Sequence, residues 1–156
     1  MGNAISWFLL IALAAMLLAA CWCDLRARTI PNLLNLAIAL LAIPFWWSIG
    51  LALWPDVAFQ LGGAILVFGL FAIAFALGAM GGGDVKLVAA IALWLPGQSV
   101  LALLFIMSIA GGALTLAMLI RHKLRHTAGQ LEIPYGVAIA FGGLWLIGER
   151  FLNQFG

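Results

Sequence analysis

The chain has 156 residues and only five carboxylic side chains. Asp24 closes the first apolar stretch, and Asp84 follows Gly81-Gly82-Gly83 at the start of another. A carboxylate at membrane depth is expensive and marks function more often than structure. Two carboxylates within hydrogen-bond reach cannot both ionise readily and share a proton. Such a pair can hydrolyse an amide. The ionised member takes a proton from water as it attacks a peptide carbonyl; the protonated one stabilises the oxyanion and then protonates the leaving amine. Asp84 is assigned as base and Asp24 as acid, with exchangeable labels because a coupled pair titrates jointly. Simpler roles exist: Asp24 could balance Arg26 and Arg28, and Asp84 could cap a helix. Asp56 and Glu149 fall at helix ends in reach of water, and Glu132 falls in a polar loop with His126 and Gln130.

The neighbours sharpen the distinction. Three glycines before Asp84 allow close backbone approach and positive φ. A helix starting there places Asp84 where its dipole favours an anion, and Lys86, two residues on, is a nearby cation that helps keep the carboxylate charged. Asp24 follows Cys21-Trp22-Cys23, an apolar setting that opposes ionisation, while Arg26 and Arg28 favour it.

The elements that must position these groups follow from composition. Hydrophobic residues make up 67% of the chain and charged ones 8%, with a net charge of +2, against about 45–50% and about 25% in a typical globular domain. A soluble domain of this size cannot hide so much apolar surface. Disorder, nucleic-acid binding and a disulfide scaffold are excluded by the same figures. The expectation is an all-α polytopic membrane protein, one transmembrane domain over 1–156 with no soluble domain. Six apolar runs are read: Ala4 to Trp22, Pro31-Asn32 to Trp54-Pro55-Asp56, Val57 to Leu77, a shorter Val85 to Leu95, Ser99 to Ile120, and Ile133-Pro134 to Gly148-Glu149-Arg150. Placing the loop after the first run inside puts Arg26, Arg28, Lys86, Arg121, Lys123 and Arg125 on the cytoplasmic side and Arg150 alone outside. Both termini are then outside, and Asp24 and Asp84 share one cytoplasmic depth. Trp46, Trp47, Trp54, Trp94 and Trp145 are expected to form an outer interfacial belt.

Three local patterns together resemble a known family. Gly81-Gly82-Gly83-Asp84-Val85-Lys86-Leu87 is similar to the Gly-x-Gly-Asp signature of intramembrane-type aspartic proteases. Asp24 through Arg28 to Ile30-Pro31-Asn32 resembles the other half of the site in type IV prepilin peptidases, and Ile133-Pro134-Tyr135-Gly136 resembles a segment at the start of their last helix. The resemblance implies leader removal from prepilin-like precursors at the cytoplasmic face of the bacterial inner membrane. Asp24 and Asp84 would be the catalytic pair; Gly81, Gly83, Lys86, Pro31, Asn32 and Pro134 would shape the site, and no metal or cofactor would be needed. The partners implied are the precursor and membrane lipid, with no nucleic acid; the oligomeric state stays open. Larger members carry a cytoplasmic insert with Cys-x-x-Cys motifs and also N-methylate the trimmed pilin. Here only a short loop follows Asp24 and no Cys-x-x-Cys occurs. The chain resembles the compact, peptidase-only branch associated with tight-adherence or Flp-type pili.

The remaining features have plainer explanations. Leu18-Ala19-Ala20-Cys21 looks like a lipoprotein cleavage box, but no Lys or Arg precedes it, so no cleavage is expected. Cys21 and Cys23 are too awkwardly spaced to bridge and read as small buried hydrophobes. His122 and His126 have the spacing of a metal pair without a third ligand, and their basic segment reads as a topology anchor meeting anionic lipid. Gly62-Gly63, Gly111-Gly112 and Gly142-Gly143 suit close helix packing. A proton-coupled transporter using Asp24 and Asp84 as a relay is the alternative; it predicts an internal repeat, and the two halves of the chain show none.

Overall fold

The computed structural model describes residues 4–125 and 133–155. Among these residues six α-helices follow one another: α1 (Ala4–Ala27), α2 (Asn32–Ser48), α3 (Ala58–Ala76), α4 (Gly82–Ala92), α5 (Gly97–Arg125) and α6 (Tyr135–Phe155). A π-helical turn, Leu53–Val57, leads into α3, and no strand occurs among the described residues. Three helical stretches are long and apolar enough to cross a membrane: Ala4–Ala27, Leu53–Ala76 and Gly97–Leu124. The apolar α2 is shorter, at 17 residues. At 1.5 Å per residue, the 11 residues of α4 reach about 16 Å, roughly half a hydrocarbon core of about 30 Å.

That short helix is the best-buried element. Val85, Leu87, Val88, Ala90, Ile91 and Ala92 are all buried, enclosed by α2, α3 and α6. α6 also packs against α1 and α5. α3 contributes only Ala64 and Val67 to the buried set.

α4 is fastened where it stops. The Trp46 indole N–H donates to the Leu93 carbonyl at 2.7 Å, and the Gln60 amide donates to the carbonyls of Leu93 and Leu95 at 2.9 and 2.7 Å. These bonds satisfy carbonyls that a helix end leaves without intrahelical partners, and in lipid such groups have no water to turn to. The Trp94 indole in turn donates to the Ile38 carbonyl at 2.9 Å, with its ring 4.8 Å from that of Phe45.

The tryptophan belt therefore needs correcting. Trp47, Trp54 and Trp145 are exposed, but Trp94 and Trp46 are only 2% and 8% exposed and serve the core. Their N–H groups are consumed by backbone carbonyls deep in the bundle, which is what makes burying an indole affordable there. The glycine pairs divide similarly. A methyl on Gly143 would lie 2.8 Å from Leu17 Cδ1, and one on Gly142 would lie 3.1 Å from Leu103 Cδ1, so α6 needs both to approach α1 and α5. Nothing lies within 4 Å of such a methyl on Gly62 or Gly63. Close packing does not explain that pair.

Substitutions at the two kinds of glycine should separate in thermal melts of detergent-solubilised protein. Gly143→Val overpacks a filled interface and should destabilise by about 1–3 kcal/mol. Gly62→Ala removes a helix-weakening residue in open space and should stabilise by up to about 1 kcal/mol.

Candidate active site

Four chain segments meet at one end of the bundle: the C-terminal end of α1, the loop into α2, the glycine-rich turn before α4 and the N-terminal end of α6. The first three line a cavity of about 330 Å³ whose walls include Asp24, Arg28, Ile30, Asn32, Gly81, Gly83 and Asp84. The two aspartates, 60 positions apart in sequence, sit on one cavity, 4% and 8% exposed.

Each carboxylate faces a helix N-terminus. The backbone N–H of Val137, in the first turn of α6, donates to Asp24 Oδ2 at 3.2 Å while also donating to the Pro134 carbonyl at 3.2 Å. Asp84 lies in the first turn of α4 and folds back over Gly81, so that a methyl placed on Gly81 would be 3.0 Å from its Oδ2. Helix N-termini carry free N–H groups and favour negative charge. This arrangement compensates a pair of acids for lost water.

The loop from α1 to α2 makes the convergence possible. Arg28 adopts φ 55°, a left-handed conformation uncommon for a residue with a β-carbon, and its N–H donates to the Asp24 carbonyl at 3.0 Å. This closes α1 in the manner of a left-handed cap and directs Ile30 inward. Ile30 is buried and touches both glycine-bearing segments. A methyl on Gly83 would meet Ile30 Cβ at 3.3 Å, and one on Gly136 would lie 2.7 Å from Ile30 Cδ1 and 2.8 Å from Asp24 Oδ2.

The residues singled out in sequence distribute as follows. Asp24, Asp84, Gly81, Gly83 and Asn32 line the cavity. Pro31 precedes α2 on the exposed surface beside it, with the φ of −58° that proline imposes. Pro134 is buried one turn before the Val137 contact. Lys86 is the exception. Its ammonium donates to Asn32 Oδ1 at 2.8 Å rather than pairing with Asp84. Two residues along a helix is about 200° around its axis, so Lys86 leaves α4 on a face nearly opposite that of Asp84. Cys21 and Cys23 are free and half-buried. His126, Gln130 and Glu132 lie outside the described residues.

Sequence reasoning quoted Ile30 and Gly136 within their motifs without giving either a role, and overlooked Asn35, whose side-chain amide donates to the Gly83 carbonyl at 3.1 Å. Ile30 carried a signal: it is the one large apolar residue in the loop Arg28-Thr29-Ile30-Pro31.

A model of the type IV leader peptidase family matches residues 11–116. Neither the curated proteins nor the solved structures gave a significant match. The matched stretch exceeds half of the chain and takes in both aspartate segments, stopping short of Pro134 to Gly136. The chain belongs to the type IV leader peptidase family, and the residues that line the acid-lined cavity all fall within the matched stretch.

Proposed function

We propose that this family member is a membrane aspartic endopeptidase that removes the leader of a prepilin-like precursor at the cytoplasmic face of the bacterial inner membrane, with Asp24 and Asp84 as its catalytic pair. The observation that carries the reading is the meeting of two buried carboxylates on one cavity. One is ionised and draws a proton from water as the water oxygen bonds to the peptide carbonyl carbon. The other donates a hydrogen bond to the oxyanion, then supplies the proton that lets the amine depart as the C–N bond breaks. The N-termini of α4 and α6 stabilise the single negative charge of the pair and keep both carboxyls aimed throughout. No metal or cofactor enters this sequence.

The charge pattern supports a cytoplasmic site. Arg26, Arg28 and Lys86 border the acid-bearing end, and α5 brings Arg121 and Lys123 out as it leaves the bundle. In this reading the six helices form the membrane domain, with α4 a buried half-span. The four residues joining α1 to α2 leave no room there for the insert of larger members, and the activity proposed is trimming without methyl transfer.

The test is co-expression with a precursor carrying a basic leader before an apolar helix, followed by mass analysis of the new N-terminus. Asp24→Asn and Asp84→Asn should each lower processing by at least about a thousandfold while leaving membrane insertion intact. Near-full processing by either would overturn the pairing. Gly136→Ala forces a methyl against Asp24 and should cost on the order of 10²-fold in kcat, whereas Gly112→Ala, with nothing within 4 Å, should leave kcat unchanged. Lys86→Ala should lower processing only a few-fold, because its bond is to Asn32.

A further inference from the structure

The buried stripe of α2 reads Asn35, Ile38, Ala42, Phe45, Trp46. Asn35, 4% exposed, is its one amide-bearing member. Its Nδ2 donates to the Gly83 carbonyl, 48 positions away, while its Oδ1 is buried without a hydrogen-bond partner. An unpartnered buried acceptor destabilises a fold, and an apolar side chain of similar shape at such a site is commonly neutral or stabilising. Gly83 lies inside α4, so its carbonyl also has the helix's own ladder to serve it. Stability alone therefore gives little reason for an asparagine here, and a local rule broken without compensation is expected at functional sites.

The bond falls on the peptide group that joins Gly83 to Asp84. The preceding run, Gly81-Gly82-Gly83, has no side chains with which to fix its own backbone, and glycine populates more of φ/ψ space than any other residue. One turn earlier on α2, Asn32 is occupied by Lys86. We infer that Asn35 is a positioning residue for Asp84: by holding the Gly83 carbonyl it fixes the rotation of the first turn of α4, and so the direction in which the Asp84 carboxylate leaves the backbone.

This inference rests on the peptidase reading, and its test separates the two. Wild-type protein, Asn35→Leu and Asn35→Thr are reconstituted in the same vesicles with a precursor of basic leader and apolar helix, using Asp84→Asn as the blank. Asn35→Leu should melt at or above the wild-type temperature, with kcat about 100-fold lower and KM within twofold. Asn35→Thr, which restores a donor on the same face, should recover kcat at least fivefold over Asn35→Leu. A kcat for Asn35→Leu within threefold of wild type overturns the inference. So does a KM rise without a kcat loss, a fall in melting temperature that tracks the fall in activity, or a threonine variant no better than leucine. If folded wild-type protein cuts no more than the Asp84→Asn blank, the peptidase reading itself fails and this inference falls with it.

Discussion

Bringing two carboxylates out of water to one point is the constraint around which this bundle is arranged. Desolvation and mutual repulsion both oppose it, and no lysine or arginine among the described residues forms an ion pair with either acid. What offsets the cost is mainly backbone, with Arg28 on the cavity wall beside it. Asp24 receives the Val137 N–H from the first turn of α6, and Asp84 folds over the start of α4. Two helix N-termini converge because Arg28 turns the chain sharply after α1 and Ile30 wedges between Gly83 and Gly136. Arg28 lends its charge from the wall of the same cavity without forming a direct ion pair, which would have locked the carboxyls. Partial positive charge from helix ends stabilises negative charge without removing it from chemistry.

The short α4 is the second consequence. A helix of 11 residues ends with carbonyls that have no intrahelical partner. Trp46 and Gln60 close that end, and Asn35 holds the other. The helix bearing Asp84 is therefore tethered at both termini from α2, with α3 adding a tie at the far end. Its position is set by directional bonds as well as by apolar contact, which alone has no preferred rotation.

How much of this could be read from sequence depended on which residues were costly. Acids are rare in so apolar a chain, and the topology placed Asp24 and Asp84 at one depth, so the candidate pair was legible. The six helices were legible too, with the fourth recognisably short. Which face of each helix looks inward was not. In water, an exposed face declares itself by polarity; in lipid, the outside is as apolar as the core, and helix patterning loses that information. Hence Trp46 and Trp94 read as belt residues although both are buried, and Gly62-Gly63 read as a packing surface although it is open. Lys86 was misjudged for a different reason: adjacency in sequence was taken for adjacency in space, although two residues along a helix point to different sides. Asn35 was missed because an amide carries no charge to attract notice.

The layer beneath the acids gives the bundle a direction. Leu13, Leu17, Leu87, Ile91, Phe45 and Trp94 are each at most 2% exposed and separate the acid-lined cavity from the one bordered by Gln60, Glu149 and Arg150 at the opposite end, whose wall Trp94 joins. Five of these side chains are apolar throughout, and the indole N–H of Trp94 is already committed to the Ile38 carbonyl. The acid-lined end is thus backed by side chains that offer it no free polar partner.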